Sequence, residues 1–226
     1  MFLEVLWAVF IGFLPGLFWL WFYYKKDLHP EPLKWIAKVF LWGAMATIPA
    51  IVLELLFDSV LQIYIDPAML SYVFISTFVI VAPIEEFLKY FVVKRTVFKN
   101  KVFDEKIDGV IYCIAAGLGF ATFENILAAI GGGGGDIVLA RAVTATLLHA
   151  TASGLVGFFM GEARFRPKKK RLYLAIGLLS AIAVHGIYNF VVTLESDMTI
   201  PLIVILLAVV YVILAVGIRR MKRSEV

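Results

Sequence analysis

The stretch FVIVAPIEEFLKYFVV, residues 78–93, has the composition of a bilayer-spanning segment except at its centre, where Pro83, Glu85, Glu86 and Lys89 interrupt it. An ionised side chain at mid-bilayer costs about 2.5–3.5 kcal/mol on insertion scales, so three together cost roughly 8–10 kcal/mol. Each apolar neighbour returns only about 0.3–0.6 kcal/mol. Such a segment stays in the membrane only if its charges pair, a glutamate takes up a proton, or one face is wet. Glu85 and Lys89 stand at i, i+4 with the acid first, the better order for a helical ion pair. Glu86 lies about 100° further round the helix and falls outside that pair. Pro83 removes a backbone hydrogen bond and predicts a kink just before the acids.

The rest of the chain sets this stretch in a membrane protein. Of its 226 residues, 62% are hydrophobic and 17% charged, against about a quarter charged in soluble domains; the mean hydropathy is +0.93. Runs of roughly 20 apolar residues recur at Phe2–Tyr24, Trp35–Phe57, Met69–Val93, Ile107–Ile130, Ile137–Ala163, Leu172–Leu194 and Ile200–Ile218. These predict an all-α, polytopic membrane helix bundle of about seven transmembrane helices, forming a single domain over residues 1–226. The first run lacks a basic leader and a small-residue cleavage site, and it is long enough to span. The single cysteine, Cys113, excludes an internal disulfide framework.

Charge in the loops orients the bundle. All but Lys89 and Arg141 of the 21 basic residues follow the first, third, fifth and seventh runs. The intervening loops, around Asp58–Asp66, Gly131–Asp136 and Glu195–Asp197, carry none. The positive-inside rule then places the N-terminus outside and the C-terminus in the cytoplasm. The formal charge of +4 is directed at the anionic inner leaflet, not at nucleic acid. The glycine run Gly131–Gly135 reads as an outward flexible loop; it lacks the Lys-Ser/Thr of a phosphate-binding loop.

Further polar groups punctuate the later runs. GLGFATFENILAA holds Glu124 and Asn125, with Phe120 on the face of Glu124 and Gly117, Gly119 and Ala121 permitting close helix approach. His149 stands near Ala145, Ala152, Ser153 and Gly157. AVHGIYNF places His185 and Asn189 at i, i+4, where the amide can orient the ring or supply a donor to a carbonyl. Each has a bland explanation as a helix–helix contact. Together they put three carboxylates, two imidazoles, an amide and a lysine on four successive spans, and ionisable groups inside a membrane mark functional sites by default.

Peptide hydrolysis in a membrane needs a water activator and an oxyanion stabiliser. No HExxH motif is present. GGGD ending at Asp136 has no Tyr-Asp partner, Ser153 lacks the GxSG context, and Cys113 has no base at helical spacing. A glutamate activating water, assisted by histidines and without a cofactor, remains. Glu86, outside the Glu85–Lys89 pair, is the candidate base, and burial raises the basicity of such a carboxylate. A metal-dependent hydrolase with Glu and His ligands and a proton-coupled transporter using a carboxylate relay are the rivals; no repeat-related broken helices support the transporter. At 1.5 Å per residue, Glu85 stands ~12 Å above the inner boundary, both histidines ~20 Å and Glu124 ~25 Å, so the groups are not level in straight, upright helices.

APIEEFLKYF, FDEKIDGVIYCIAAGLGFATFENIL, RAVTATLLHATASGLVGFFMGEARF and HGIYNF, in this order and spacing, resemble the PrsW family, as does DLHPEP after the first run. The resemblance extends from about residue 15 to Asn189 and implies a bacterial cell-membrane protease of the glutamate-dependent intramembrane group, related to the prenyl-protein (CAAX) endopeptidases. It implies catalytic roles for Glu85, Glu86, His185 and Asn189, places Glu124 and His149 at the remaining motif positions, and marks Glu105 of the inner FDE as a family feature. The broader group carries Arg one position beyond Lys89 and His where Glu124 stands, which sets this chain on the PrsW branch. The resemblance further implies first-site cleavage of a single-span anti-sigma factor in envelope-stress signalling.

Overall fold

The computed structural model describes residues 2–25, 29–131 and 135–223, and among them every regular element is helical. Seven long helices follow one another: α1 (Phe2–Tyr24), α2 (Leu33–Tyr64), α3 (Leu70–Thr96), α4 (Lys106–Ile130), α5 (Gly135–Phe165), α6 (Lys170–Thr193) and α7 (Thr199–Arg223). Six of them, α2 to α7, are long and apolar enough to cross a membrane over their described residues. The middle of the glycine run, residues 132–134, and Asp27 and Leu28 of DLHPEP lie outside the described residues.

The bundle is organised around α4. Every residue from Ile107 to Thr122 is buried, because α4 packs on α5, α2 and α1 on its several sides. In lipid the hydrophobic effect does not drive helices together, so close van der Waals contact between small residues has to. A Cβ added at Gly157 of α5 would stand 2.2 Å from the Gly109 carbonyl oxygen of α4, and one at Gly119 of α4 only 2.0 Å from the Phe40 carbonyl oxygen of α2. The backbones of α2, α4 and α5 are therefore in near contact. The Asp108 carboxylate starts α4 by accepting hydrogen bonds from the backbone N–H groups of Asp104 (2.8 Å) and Glu105 (2.7 Å), satisfying donors that a helix N-terminus leaves open.

Two elements differ from the sequence expectation. The helix α2 runs for 32 residues, on through Asp58 to Tyr64, where a polar loop was expected. Its end is held by side chains: Gln62 donates to Asp58 (2.7 Å), and Tyr72 at the start of α3 donates to the same carboxylate. Ahead of Pro83, α3 widens into a π-helical segment at Ser76–Val81, where the Ala82 N–H reaches back to the Thr77 carbonyl. The irregularity expected at Pro83 is thus a widened turn; such turns occur often at functional sites.

Gly157→Ala tests the close packing. Helix propensity alone favours alanine by about 1 kcal/mol, whereas overpacking costs about 1–3 kcal/mol. The expected outcome is a lower thermal midpoint for the purified protein in detergent micelles; a raised midpoint would show that the helices separate freely.

Candidate active site

The site lies where α3, α4, α5 and α6 meet. Glu85, Glu86 and Lys89 come from consecutive turns of α3, Glu124 from α4, His149 from α5 and His185 from α6. Glu85, Glu86, Lys89, His149 and His185 are all buried, Glu86 completely. The Lys89 ammonium donates to Glu85 Oε2 (3.0 Å) and Glu86 Oε1 (2.8 Å) and lies 2.7 Å from His149 Nδ1. It also sits 4.4 Å over the Phe120 ring, a contact that favours a desolvated cation.

This corrects the expectation that Glu86 stands outside the lysine's reach. Its i, i+3 spacing brings the flexible lysine stem to both acids, as i, i+3 neighbours share a helix face. Glu86 Oε1 also pairs with His185 Nδ1 at 2.8 Å, while its Oε2 is buried without a hydrogen-bond partner. Glu85 Oε2 instead looks between the two imidazoles, 3.9 Å from His149 Nδ1 and 3.8 Å from His185 Nε2. The rings stand edge to face, centroids 5.2 Å apart.

The mismatch in depth between the helices is resolved. His149 Nε2 lies 2.9 Å from Glu124 Oε2, so the deepest expected carboxylate is level with the histidine. Arg141 Nη2 is 3.9 Å from the same oxygen. These two side chains are 38% and 22% exposed, whereas Lys89 and Glu85 are 2% and 4% exposed; the cluster reaches the surface beside Glu124 and Arg141.

Asn189 is brought near but not joined. It sits half-buried one turn beyond His185 on α6, and its amide makes no hydrogen bond among the described residues. Glu105 lies apart from the cluster, at the basic end of the bundle, paired with His29 Nδ1 at 2.7 Å. Asn125 donates to Thr146 (2.9 Å), tying α4 to α5.

Sequence reasoning passed over Glu54. It sits on α2 with one buried carboxylate oxygen lacking a hydrogen-bond partner, within electrostatic reach of Glu85, Glu124 and Lys89. A carboxylate inside an apolar run was the available signal. It also passed over Glu31 and Asp108, buried near Asp104 at the start of α4. Those carboxylates are taken up by Tyr112, which donates to Glu31, and by the backbone N–H groups that Asp108 receives, a structural use.

The donors suit a metal ion as well. Glu85, His149 and His185 each offer one ligand atom, all within 4.8 Å of one another. Two histidines and one carboxylate are a known catalytic zinc set that leaves a position open. The nitrogen of each ring turned away from Glu85 faces another carboxylate, Glu124 for His149 and Glu86 for His185, the support that metal-ligating histidines usually have. The residues present therefore fit a metal.

Residues 31–217 match the PrsW family of intramembrane metalloproteases. Protease PrsW of Geobacillus kaustophilus is 35% identical over 180 residues, covering 79% of this chain and 76% of the relative. Protease PrsW of Oceanobacillus iheyensis is 30% identical over 214 residues, covering 95% and 94%. Protease PrsW of Bacillus subtilis is 31% identical over 188 residues, covering 82% and 83%. No solved structure matches the chain. With a bundle of membrane-crossing helices closing on buried acids and imidazoles, and these relatives along most of its length, the chain belongs to the PrsW family and is a multi-pass bacterial membrane protease.

Proposed function

We propose that the buried cluster hydrolyses a peptide bond of a membrane-anchored protein with water activated by Glu85. The observation that carries this reading is the position of Glu85 Oε2 between His149 and His185. Glu86, fully buried and bonded to Lys89 and His185, fixes the ring and the ammonium. This reverses the allotment expected from sequence: Glu85 is the base, and Glu86 orients.

In this scheme Glu85 takes the proton from water, with His149 alongside and held by Glu124. The attacking oxygen adds to the scissile carbonyl, and the free Asn189 amide donates to the oxyanion, while His185, its Nδ1–H given to Glu86, presents Nε2 as an acceptor beside the water. The proton held by Glu85 then passes to the leaving amine. Donors placed in a site without bulk water act strongly on developing charge. The likeness to PrsW proteins supports a single-span anti-sigma factor as the substrate and first-site cleavage in envelope-stress signalling as the task. The positive-inside rule supports an outer N-terminus and a cytoplasmic basic end.

A second reading is favoured by the carboxylates that hold the outward nitrogen of each histidine. Glu85, His149 and His185 would hold a metal ion there, with Glu86 and Glu124 orienting the rings. A bound metal supplies a Lewis acid and a water of lowered pKa.

Removing a general base costs about 10²–10⁴-fold in rate. Glu85→Gln is expected to lose that much cleavage of a co-expressed single-span substrate, while eluting from gel filtration like the wild type. Full turnover by the purified variant would reject Glu85 as base. Asn189→Ala is expected to lower kcat about 10²–10³-fold, the usual loss of one oxyanion donor, with KM little changed; a rise in KM alone would reduce it to substrate binding. Cleavage is expected to persist after prolonged dialysis against a chelator. Loss of cleavage that zinc restores, together with loss of bound metal in His149→Ala, would assign the chemistry to the second reading.

A further inference from the structure

At the basic end of the bundle, α1 and α7 both pack on α5 and leave a groove between them. A cavity of about 260 Å³ opens there between their last turns. Its polar wall is Tyr23, Tyr211, Arg219 and Lys222, and Phe22 and Ile218 supply apolar wall. Tyr23 is 2% exposed, and its hydroxyl is buried without a hydrogen-bond partner. Leaving such a group unpaired is unfavourable, so a ligand atom that receives its hydrogen is favoured. Arg219 has no ion-pair partner among the described residues. The phenols, the guanidinium and the ammonium all donate hydrogen bonds, which selects a ligand rich in acceptors and negatively charged.

A second hollow lies between the same two helices. It is an apolar cleft of about 350 Å³ lined by Trp19, Leu147, Val204, Leu207 and Ala208, and it shares Tyr211 with the first. A charged cavity continued by an apolar groove along a membrane-crossing helix matches an amphiphile with an anionic head. Guanidinium and ammonium groups are the side chains that bind phosphate best.

We propose that the cavity between the last turns of α1 and α7 binds the phosphate headgroup of an anionic phospholipid, with one acyl chain in the groove beneath Trp19 and Leu207. The site is separate from the hydrolytic cluster and rests on no step of peptide hydrolysis.

Native mass spectrometry of the full-length protein tests this, after exchange into detergent micelles containing phosphatidylglycerol or phosphatidylcholine with the same acyl chains. Phosphatidylglycerol is expected to stay bound, and phosphatidylcholine to leave. Charge-assisted hydrogen bonds contribute about 1.5–3 kcal/mol each, so Arg219→Gln and Tyr23→Phe are each expected to weaken phosphatidylglycerol binding roughly tenfold or more. Ala208→Trp, filling the apolar cleft at an exposed position, is expected to weaken it while the thermal midpoint of the lipid-free protein stays within the wild-type range. Equal retention of the two lipids, or undiminished binding by Arg219→Gln and Tyr23→Phe, would overturn the proposal. So would displacement of the lipid by millimolar inorganic phosphate with no effect of Ala208→Trp, which would identify a soluble phosphate as the ligand.

Discussion

The Lys89 ammonium is a cation enclosed by two carboxylates, an imidazole and an aromatic ring, in a chain that crosses hydrocarbon. Taken singly, each of those charges resists insertion. Taken together they neutralise one another within α3, and the contact of Lys89 with His149 ties that neutralised cluster to α5. The arrangement is cooperative in the strict sense. Breaking one partner of a buried ion pair costs about 3–5 kcal/mol, because the other charge remains where water cannot reach it. The same groups therefore hold the helices together and form the candidate site.

A consequence is that site and scaffold are hard to alter separately. Glu86 is fully buried and shared between Lys89 and His185; it links α3 to α6 and sets which nitrogen of His185 faces Glu85. Glu124 does the same for His149 across α4 and α5. Each imidazole is thus oriented by a carboxylate on a different helix, an arrangement that serves a general-base site and a metal site equally well. At its exposed edge the cluster meets Arg141, which lies beside the Glu124 oxygen that also faces His149. A substrate arriving from that side meets this ion pair before it meets Glu85.

Much of this was legible in the sequence because charged residues stand out against apolar runs. The all-helical membrane fold, Glu85, Glu86, His149, His185 and Glu124 were all visible as interruptions. Gly117 and Gly119 were legible as places of close approach. The sharing of Lys89 by two acids was misread, because helical angle was weighed without the reach of a four-carbon side chain. The pairing of Glu31 with Tyr112, 81 residues apart, has no local signature at all. Glu54 did carry a signal as an acid in an apolar run, but nothing local tells whether such an acid faces lipid headgroups or a partner helix. The extension of α2 through Asp58 escaped notice for a related reason. Polar residues at that end signal a loop only when nothing across the hairpin binds them, and Tyr72 does.

The π-helical segment at Ser76–Val81 separates two parts of α3 that answer to different neighbours. Above it, Tyr72 binds Asp58 of α2 and Phe74 packs against Phe190 of α6, and within it Phe78 stacks on Phe74. Below it, Glu85, Glu86 and Lys89 face the histidines. An α-helix turns about 100° per residue, so one surplus residue in a regular helix would swing one part of α3 against the other by about that angle. The widened turn, bonded from each N–H to the carbonyl five residues back, absorbs the surplus residue instead. Both parts of one helix thereby keep their own neighbours, and a single deletion within 76–81 would wind the segment into regular helix with the two faces still aligned.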